Sequence, residues 1–525
     1  MSGSVGQRGS QSATGIDLGS TRTRIAALDS GVADLVAARR PFIGGEWVAG
    51  HGPVLEVESP ATGCVVATVE GASPDEFEEA IGAARDAFDN GPWPRLAPPE
   101  RIAAVRSLGE ALAARRDVLV ETVIAEAGCP RTVTETAQVG MALASISELA
   151  DLYERIPEWE YNEVPLREHL VGSAVRLSIR RYEPAGVVAA ITPYNFPFVT
   201  NVWKVVPALL SGCSVLLRPS PLTPLSALVF GEAAEEAGIP PGVLNVVPEA
   251  GSEGAVTMTT HRGVDVVSFT GSTAVGRAVA GQAAATLKRL ILELGGKSVA
   301  LHLPDAVEAG IGGVVAAAAG VFAAHAGQGC SLQTRVLVPD DRRAEVIDAI
   351  AALAGTMRVG DPAEPTTLVG PLISATQRQR VDDLVQRAVT AGARCAAGGR
   401  APAGLNRGWF YEPTVLDAPD PANPANQQEF FGPVVSVLGY RDLDDAVGIA
   451  NASEYGLSGG IYTADLQLGM AIAERIRAGT VQVNTGWAAG YIPMGGYRQS
   501  GYGRERGVAG IRSFQELKHV VVGSR

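Results

Sequence analysis

Three side chains in this sequence have the types that acyl chemistry needs: a thiol, an amide and a carboxylate. Cys330 lies in His325-Ala-Gly-Gln-Gly-Cys330-Ser-Leu-Gln-Thr-Arg335. Its small neighbours and two glycines let the backbone pass close to a ligand and present the thiol uncovered. No Cys-x-x-Cys spacing occurs, and neither Gly329 nor Ser331 can pair with it. By itself such a cysteine reads as a small buried hydrophobe, so the case for a nucleophile rests on its partners. In Pro193-Tyr-Asn195-Phe-Pro197 two prolines fix the backbone around one amide. That amide either satisfies its own turn or points at a developing oxyanion. In Leu292-Glu293-Leu-Gly-Gly-Lys297 the carboxylate sits between leucines and ahead of two glycines. Desolvation there would raise its pKa into the range of a general base, whereas a carboxylate at an exposed helix end would stay ordinary.

A fourth segment, Thr270-Gly-Ser-Thr-Ala-Val-Gly276, follows a strand pattern and opens a helix pattern. Such a turn can set backbone N–H groups and a helix N-terminus against a phosphate, although its spacing is not Gly-x-Gly-x-x-Gly. Gly456-Leu-Ser458-Gly-Gly460 matches the serine-hydrolase elbow in its letters only. Helical residues precede it and the strand Ile461-Tyr-Thr463 follows, the reverse of the order that elbow requires. Ile16-Asp-Leu-Gly-Ser-Thr21 resembles the first phosphate loop of sugar-kinase and actin-like ATPases but lacks a flanking sheet and further phosphate loops, so a tail is the better account. No His-Glu-x-x-His or clustered Cys/His pattern calls for a metal.

The elements that must position these residues alternate. Phe42 to Val48 reads as a short strand and turn, and Ser73-Pro-Asp-Glu76 as a capping box opening a helix to Asp89, with a second helical stretch from Pro98 to Gly128. Strands at 187–191, 214–218, 244–247 and 264–269 are separated by helices at 201–210 and 225–238, and another helix runs on to Lys288. That alternation means a parallel, doubly wound sheet. A second set follows: a helix around Val315, the strand 335–338, helices 341–354 and 374–391, and the strand 461–463. Glu158 to Arg181 alternates like an exposed ribbon, and Ser513 to Val522 reads as another edge strand; exposed ribbons invite pairing between subunits.

At 525 residues the chain is too long for one core, and 46% hydrophobic with 19% charged residues describes a folded protein. Lys plus Arg (43) against Asp plus Glu (56) leaves a net charge of −13, which argues against nucleic acid as partner. Five scattered cysteines suit a reducing cytoplasm better than a disulfide framework. Met1 to Ser12 lack the apolar core of a signal peptide, and Ile311 to Ala326 reads as a buried helix, so no membrane segment is expected.

Taken together, Pro193–Pro197, Phe269–Thr273, Glu293–Lys297, Gly327–Cys330, Glu429-Phe-Phe-Gly-Pro433 and Pro493-Met-Gly-Gly496 resemble the aldehyde dehydrogenase superfamily, in its order, from about Arg40 to Val522. The resemblance implies an α/β architecture of a Rossmann-like cofactor domain (39–157 and 182–294), an α/β catalytic domain (295–495) and a small oligomerisation β-ribbon (158–181 and 510–525), after a loosely ordered leader at 1–38. It implies homodimers or homotetramers. In the implied mechanism Cys330 attacks an aldehyde as a thiolate, and Asn195 with the Cys330 backbone N–H holds the oxyanion. Hydride passes to the nicotinamide, and Glu293 activates the water that frees the carboxylic acid. Glu293 favours hydrolysis over transfer to coenzyme A, and Lys204 joins the catalytic set. The alternative is a protein of this fold without turnover, acting as a binding or structural module.

For the cofactor the resemblance implies Ile191, Thr192, Pro193, Tyr194, Lys204, Arg218, Ser220, Pro221, Phe269, Thr270, Gly271, Ser272, Val275, Glu293, Leu294, Gly295, Glu429 and Phe431. The cofactor implied is NAD. Two departures leave NADP open: Arg218 stands where Lys is usual, and Pro221 where a ribose-gripping Glu is frequent. His325 replaces a frequent Asn, Tyr194 a common Trp and Arg498 a common Lys. The aldehyde tunnel is expected at Phe198, Thr200, Trp203, Gly329, Ser331 and Tyr491, a mix that suggests a medium apolar or aromatic aldehyde.

Overall fold

The computed structural model describes residues 39–163, 170–171, 174–486 and 489–523. The leader 1–38 with its Ile16–Thr21 segment, and parts of the expected ribbon at 164–169 and 172–173, lie outside the described residues. The first sheet is built on β1 (Val187–Ile191), β2 (Ser214–Arg218), β3 (Leu244–Val246), β4 (Val266–Thr270) and β5 (Arg289–Glu293). They run parallel in the order β3-β2-β1-β4-β5. Phe42–Ile43 and Glu46–Trp47 extend the β3 edge, and Gly501–Tyr502 pairs antiparallel with β5.

Every residue of β1 is buried, because helices cover both faces. Val188 and Ala190 face the core that holds the helices of 98–154, while Val187, Ala189 and Ile191 face the one under Pro74–Asp89. That last helix starts as the capping box requires, the Glu76 carboxylate accepting the Ser73 N–H at 2.6 Å.

The second sheet comprises β6 (Val299–His302), β7 (Arg335–Pro339), β8 (Thr414–Asp417), β9 (Val434–Tyr440), β10 (Ser458–Tyr462) and β11 (Thr480–Val483). Its parallel order is β8-β9-β7-β6-β10-β11, with Arg394–Ala397 antiparallel on the β8 edge. The chain crosses from one sheet to the other in the five residues 294–298. A third, antiparallel sheet pairs Ala174–Pro184 with Gln515–Gly523 and with Trp159–Tyr161, leaving Leu177, Leu517, Val521 and Val522 exposed.

Several elements differ from the sequence reading. The stretch Pro98 to Gly128 is two helices, Pro98–Ala113 and Arg116–Ala127, the second closed by Gly128 at φ +68°. The helix expected through Lys288 stops at Ala284; Lys288 turns inward and donates to the carbonyls of His261 and Val264. The segment 311–326 is not a fully buried helix. Only one stripe of Gly312–Ala323 is covered (Val314, Ala318, Val321, Phe322), its small residues letting the rest face outward. Gly456–Gly460 feeds directly into β10, so the serine-hydrolase arrangement is absent there.

His302 ends β6 and is 2% exposed, its ring stacked on Tyr462 with centroids 4.3 Å apart and Nε2 without a partner. Burial holds its pKa down to about 4. Between the ordinary histidine pKa of about 6.5 and that value, the unfolded chain takes up a proton that the folded chain refuses. Stability is therefore lost as pH falls through this window, by about 1.4 kcal/mol per pH unit for this one group. Thermal unfolding at pH 7.5 and pH 5.0 should show a smaller acid-induced drop for His302→Phe than for the wild type; equal drops would refute the assignment.

Candidate active site

After the helix Gly312–Ala323 the chain makes a left-handed turn: His325, Ala326 and Gly327 have φ of +51°, +52° and +74°. Gln328 pins the segment that follows. Its side chain donates to the carbonyls of His325 and Pro371 and accepts the Ile373 N–H at 3.0 Å. Its own carbonyl accepts from Asn195 Nδ2 at 2.6 Å. One amide hydrogen of Asn195 is thus used to fix the side chain, and the second is left over. Gln138 Nε2 holds the Asn195 backbone from behind at 2.7 Å. Cys330 follows two residues after Gln328, part-buried, where the loop returns to β7.

Glu293 is the last residue of β5, not a helix end, and the glycines after it have a steric reason. A Cβ at Gly295 would come within 2.5 Å of the Glu429 carboxylate, and one at Gly296 within 2.3 Å of the Cys330 carbonyl oxygen. The Gly296 N–H donates to Glu429 Oε1 at 2.9 Å, and Ser500 Oγ donates to the Gly295 carbonyl at 2.6 Å. Gln377 and Arg380 bind the carbonyls of 429–431 and so fix Glu429 and Phe431.

These residues meet in a cavity of about 200 Å³. Asn195, Thr200, Trp203, Thr270, Glu293, Gly329, Cys330 and Ser331 all line it. Glu293 is 2% exposed and neither carboxylate oxygen has a hydrogen-bond partner. Burial pushes its pKa up to about 8; Glu505 adds to the rise and Lys204 opposes it. Burial likewise pushes the Cys330 thiol up to about 12, with Glu293 and Glu429 adding to it. Both groups therefore hold their protons at neutral pH, which keeps the pair free of like-charge repulsion.

His325 is fully buried, its ring edge-on to Phe196 and both nitrogens unpartnered. Burial lowers its pKa to about 3, so the ring is neutral filler for the turn.

Two of the expected tunnel residues are not in the cavity wall. Phe198 is fully buried and packs on Phe230 in the core. It lies on the opposite side of the helix Pro197–Leu210 from Thr200 and Trp203, which share a face at i, i+3. Tyr491 stands 38% exposed, and its neighbours Ile492, Pro493 and Met494 form the wall instead. Lys204 is fully buried, paired with Glu505 and donating to Ser268 Oγ at 3.0 Å; Glu505, not Lys204, reaches the cavity.

The expected cofactor residues gather at the carboxyl ends of the first sheet's strands. Strand order reverses between β1 and β4, where a crevice opens in this kind of sheet. Ile191 ends β1 and Thr192, Pro193 and Tyr194 follow it; Arg218 ends β2 and Ser220 and Pro221 follow it; Phe269 and Thr270 end β4, and Gly271 leads to Ser272, which caps the next helix. Val275 is 49% exposed in that helix's first turn. Leu294 and Gly295 follow β5, and Tyr194 meets Phe431 edge-on at 5.9 Å, bringing the second sheet's loop to the crevice. The hydroxyls of Thr192 and Thr270, on either side of the switch point, are buried without partners. The ends of these strands fit a dinucleotide.

The family model for the Aldehyde dehydrogenase family matches residues 47–520. This chain belongs to the aldehyde dehydrogenase family. It is 37% identical to the betaine aldehyde dehydrogenase of Brucella melitensis over 92% of this chain and 96% of that one. It is 36% identical to the geranial dehydrogenase of Castellaniella defragrans over 91% and 98%. A mutant aldehyde dehydrogenase C from Pseudomonas syringae, solved with NAD+ and octanal, superposes with a TM-score of 0.86 at 36% identity, covering 92% of this chain and 96% of that one. Among the described residues of this aldehyde dehydrogenase, no helix is long and apolar enough to cross a membrane.

Sequence reasoning missed Met141, Leu332, Gln482, Glu505 and Arg506, all in the cavity wall. Gly503-Arg-Glu-Arg-Gly507 carries charge between glycines and reads as a solvated turn, yet Glu505 and Arg506 are 2% and 5% exposed. The placement of Phe198 predicts that Phe198→Ala lowers stability by about 3–5 kcal/mol, as for other core phenylalanines. Chemical denaturation measures the loss. A normal unfolding midpoint with an altered aldehyde preference would contradict the packing.

Proposed function

We propose that this aldehyde dehydrogenase converts an aldehyde to the carboxylic acid through a covalent adduct on Cys330, with NAD as electron acceptor. The carrying observation is that Cys330, Asn195 and Glu293, from three separate segments, line one cavity. Cys330 Sγ attacks the aldehyde carbon, its thiol proton leaving to solvent, to form a thiohemiacetal. The free Asn195 amide hydrogen and the Cys330 backbone N–H receive the developing oxyanion. When bound, the dinucleotide supplies the acceptor for the hydride that this adduct loses on becoming a thioester. Glu293, deprotonated, takes a proton from the water that attacks the thioester, and the acid leaves as the thiol is restored. Buried carboxyls with no partner but the reacting water suit this role.

For the cofactor, we assign Ile191 to Tyr194, Gly271, Ser272, Glu429 and Phe431 as the holding residues, with Ser272 at a helix N-terminus suited to a pyrophosphate. Arg218 supports NAD over NADP. Its Nε is 2.8 Å from Glu249 and its Nη2 donates to the Gly251 carbonyl at 2.6 Å. A cation so engaged is not free to meet a 2′-phosphate. The exposed apolar residues on the Ala174–Pro184 and Gln515–Gly523 strands support a homodimer or homotetramer formed through this sheet. The cysteines, all unpaired, support a cytoplasmic location.

Only deprotonated Glu293 accepts the water's proton, so steady-state turnover should rise with pH and level off above about 8. Glu293→Gln should retain a single burst of reduced cofactor per active site while steady-state turnover falls by about 10²–10⁴. Cys330→Ala should abolish both phases. Stopped-flow absorbance of reduced cofactor reads them separately, and an unchanged steady-state rate in Glu293→Gln would overturn the assignment of the base.

A further inference from the structure

Arg506 has no place in the mechanism above, yet it lies in the same cavity as Cys330 and Glu293. It is 5% exposed, and its backbone is held at φ +57°, a conformation that an arginine adopts only when its surroundings compel it. The guanidinium carbon lies 4.3 Å from the centre of the Trp203 ring, which supports one face of the fork. Nη1 donates a long bond of 3.3 Å to the Ala489 carbonyl, and Nε has no partner.

Among the described residues no carboxylate forms a direct ion pair with Arg506, although Glu505, Glu293 and Glu148 act on its charge from nearby. Glu505 is paired with Lys204. Glu293 holds its proton up to about 8. The Glu148 carboxylate accepts the Gly490 N–H. The cavity thus contains a buried guanidinium without a direct ion-pair partner, an arrangement that an entering carboxylate would complete.

We infer that Arg506 is a specificity residue that grips a carboxylate on the substrate, so that this enzyme prefers short aldehydes carrying an acid group: semialdehydes. The inference rests on the oxidation of aldehydes at Cys330. A planar guanidinium is the side chain best matched to a carboxylate. Because Arg506 and Cys330 border one cavity, the acid group and the reacting carbonyl must be joined by a short linker. Met141, Trp203, Ile492 and Met494 cover that linker with apolar surface. A cation beside an apolar stretch of wall fixes a ligand's orientation. The substrate class changes accordingly from the plain apolar or aromatic aldehyde suggested by the tunnel residues alone.

Succinic semialdehyde and butanal have the same number of carbons and differ in the terminal carboxylate. With NAD, the wild type should show a kcat/KM about tenfold or more higher for succinic semialdehyde, with the difference residing in KM. Arg506→Gln should erase that preference and Arg506→Lys should keep part of it. Succinate, which does not react, should slow alkylation of Cys330 by iodoacetamide in the wild type, a readout independent of turnover and of any variant's folding. The inference is overturned if the wild type uses butanal as well as succinic semialdehyde, if Arg506→Gln lowers both in equal proportion, or if succinate gives no protection. Protection by succinate with no reduced cofactor from either aldehyde would leave the arginine assignment standing and refute the oxidation reading instead.

Discussion

The site depends on two backbones passing within contact distance where the chain crosses from one sheet to the other. Glu293 ends the first sheet, Val299 opens the second, and the intervening Gly296 touches the carbonyl of Cys330. Any side chain at Gly296 would force the thiol loop away from the carboxylate, and any at Gly295 would displace Glu429. The two glycines are therefore what allow a thiol from one sheet and a carboxyl from the other to share a cavity. Each remaining contact at the junction, from Ser500 to the Gly295 carbonyl and from Gly296 to Glu429, adds rigidity to that crossing. Rigid placement of reacting groups is worth more to catalysis than any one contact's energy.

Charge in the cavity follows from the same closeness. Placing a thiolate beside a carboxylate in a dry space would be costly, so the resting site holds both groups neutral, as their raised pKa values show. Glu505 is paired with Lys204, which does not line the cavity itself. Glu505 helps to hold Glu293 protonated, while the charge of Lys204 works against it.

Much of this was readable from the sequence wherever glycine or proline punctuates a strand end. Asn195 between two prolines, Glu293 ahead of two glycines and Cys330 after Gly-Gln-Gly each carry a local reason for their backbone. What was not readable depends on partners far away in the chain. Arg506 and Glu505 sit in a charged, glycine-flanked run that would be solvated in isolation, and only Trp203 and Lys204, about 300 residues earlier, bury it. Phe198 shows a different limit. Its neighbours face the cavity, but a helix turns about 100° per residue, and two positions from Thr200 the side chain points into the core. The end of the helix before Lys288 was likewise hidden, because the lysine's two carbonyl partners at 261 and 264 are set by the tertiary fold.

Backbone strain is distributed in a way that argues for a preformed site. Seven non-glycine residues have positive φ among those described, and four of them border the chemistry: His325 and Ala326 before Cys330, Phe431 beside Tyr194, and Arg506. Each such residue costs on the order of 1 kcal/mol or more and persists only where its surroundings over-determine it. Here the compensation can be named. Gln328 ties the turn at 325–327 to Pro371 and Ile373, Gln377 and Arg380 hold the carbonyls around Phe431, and Trp203 supports Arg506. These four residues are thus held by contacts that reach outside their own loops. A site assembled in this way holds the thiol, the amide and the guanidinium in place through contacts of the protein itself.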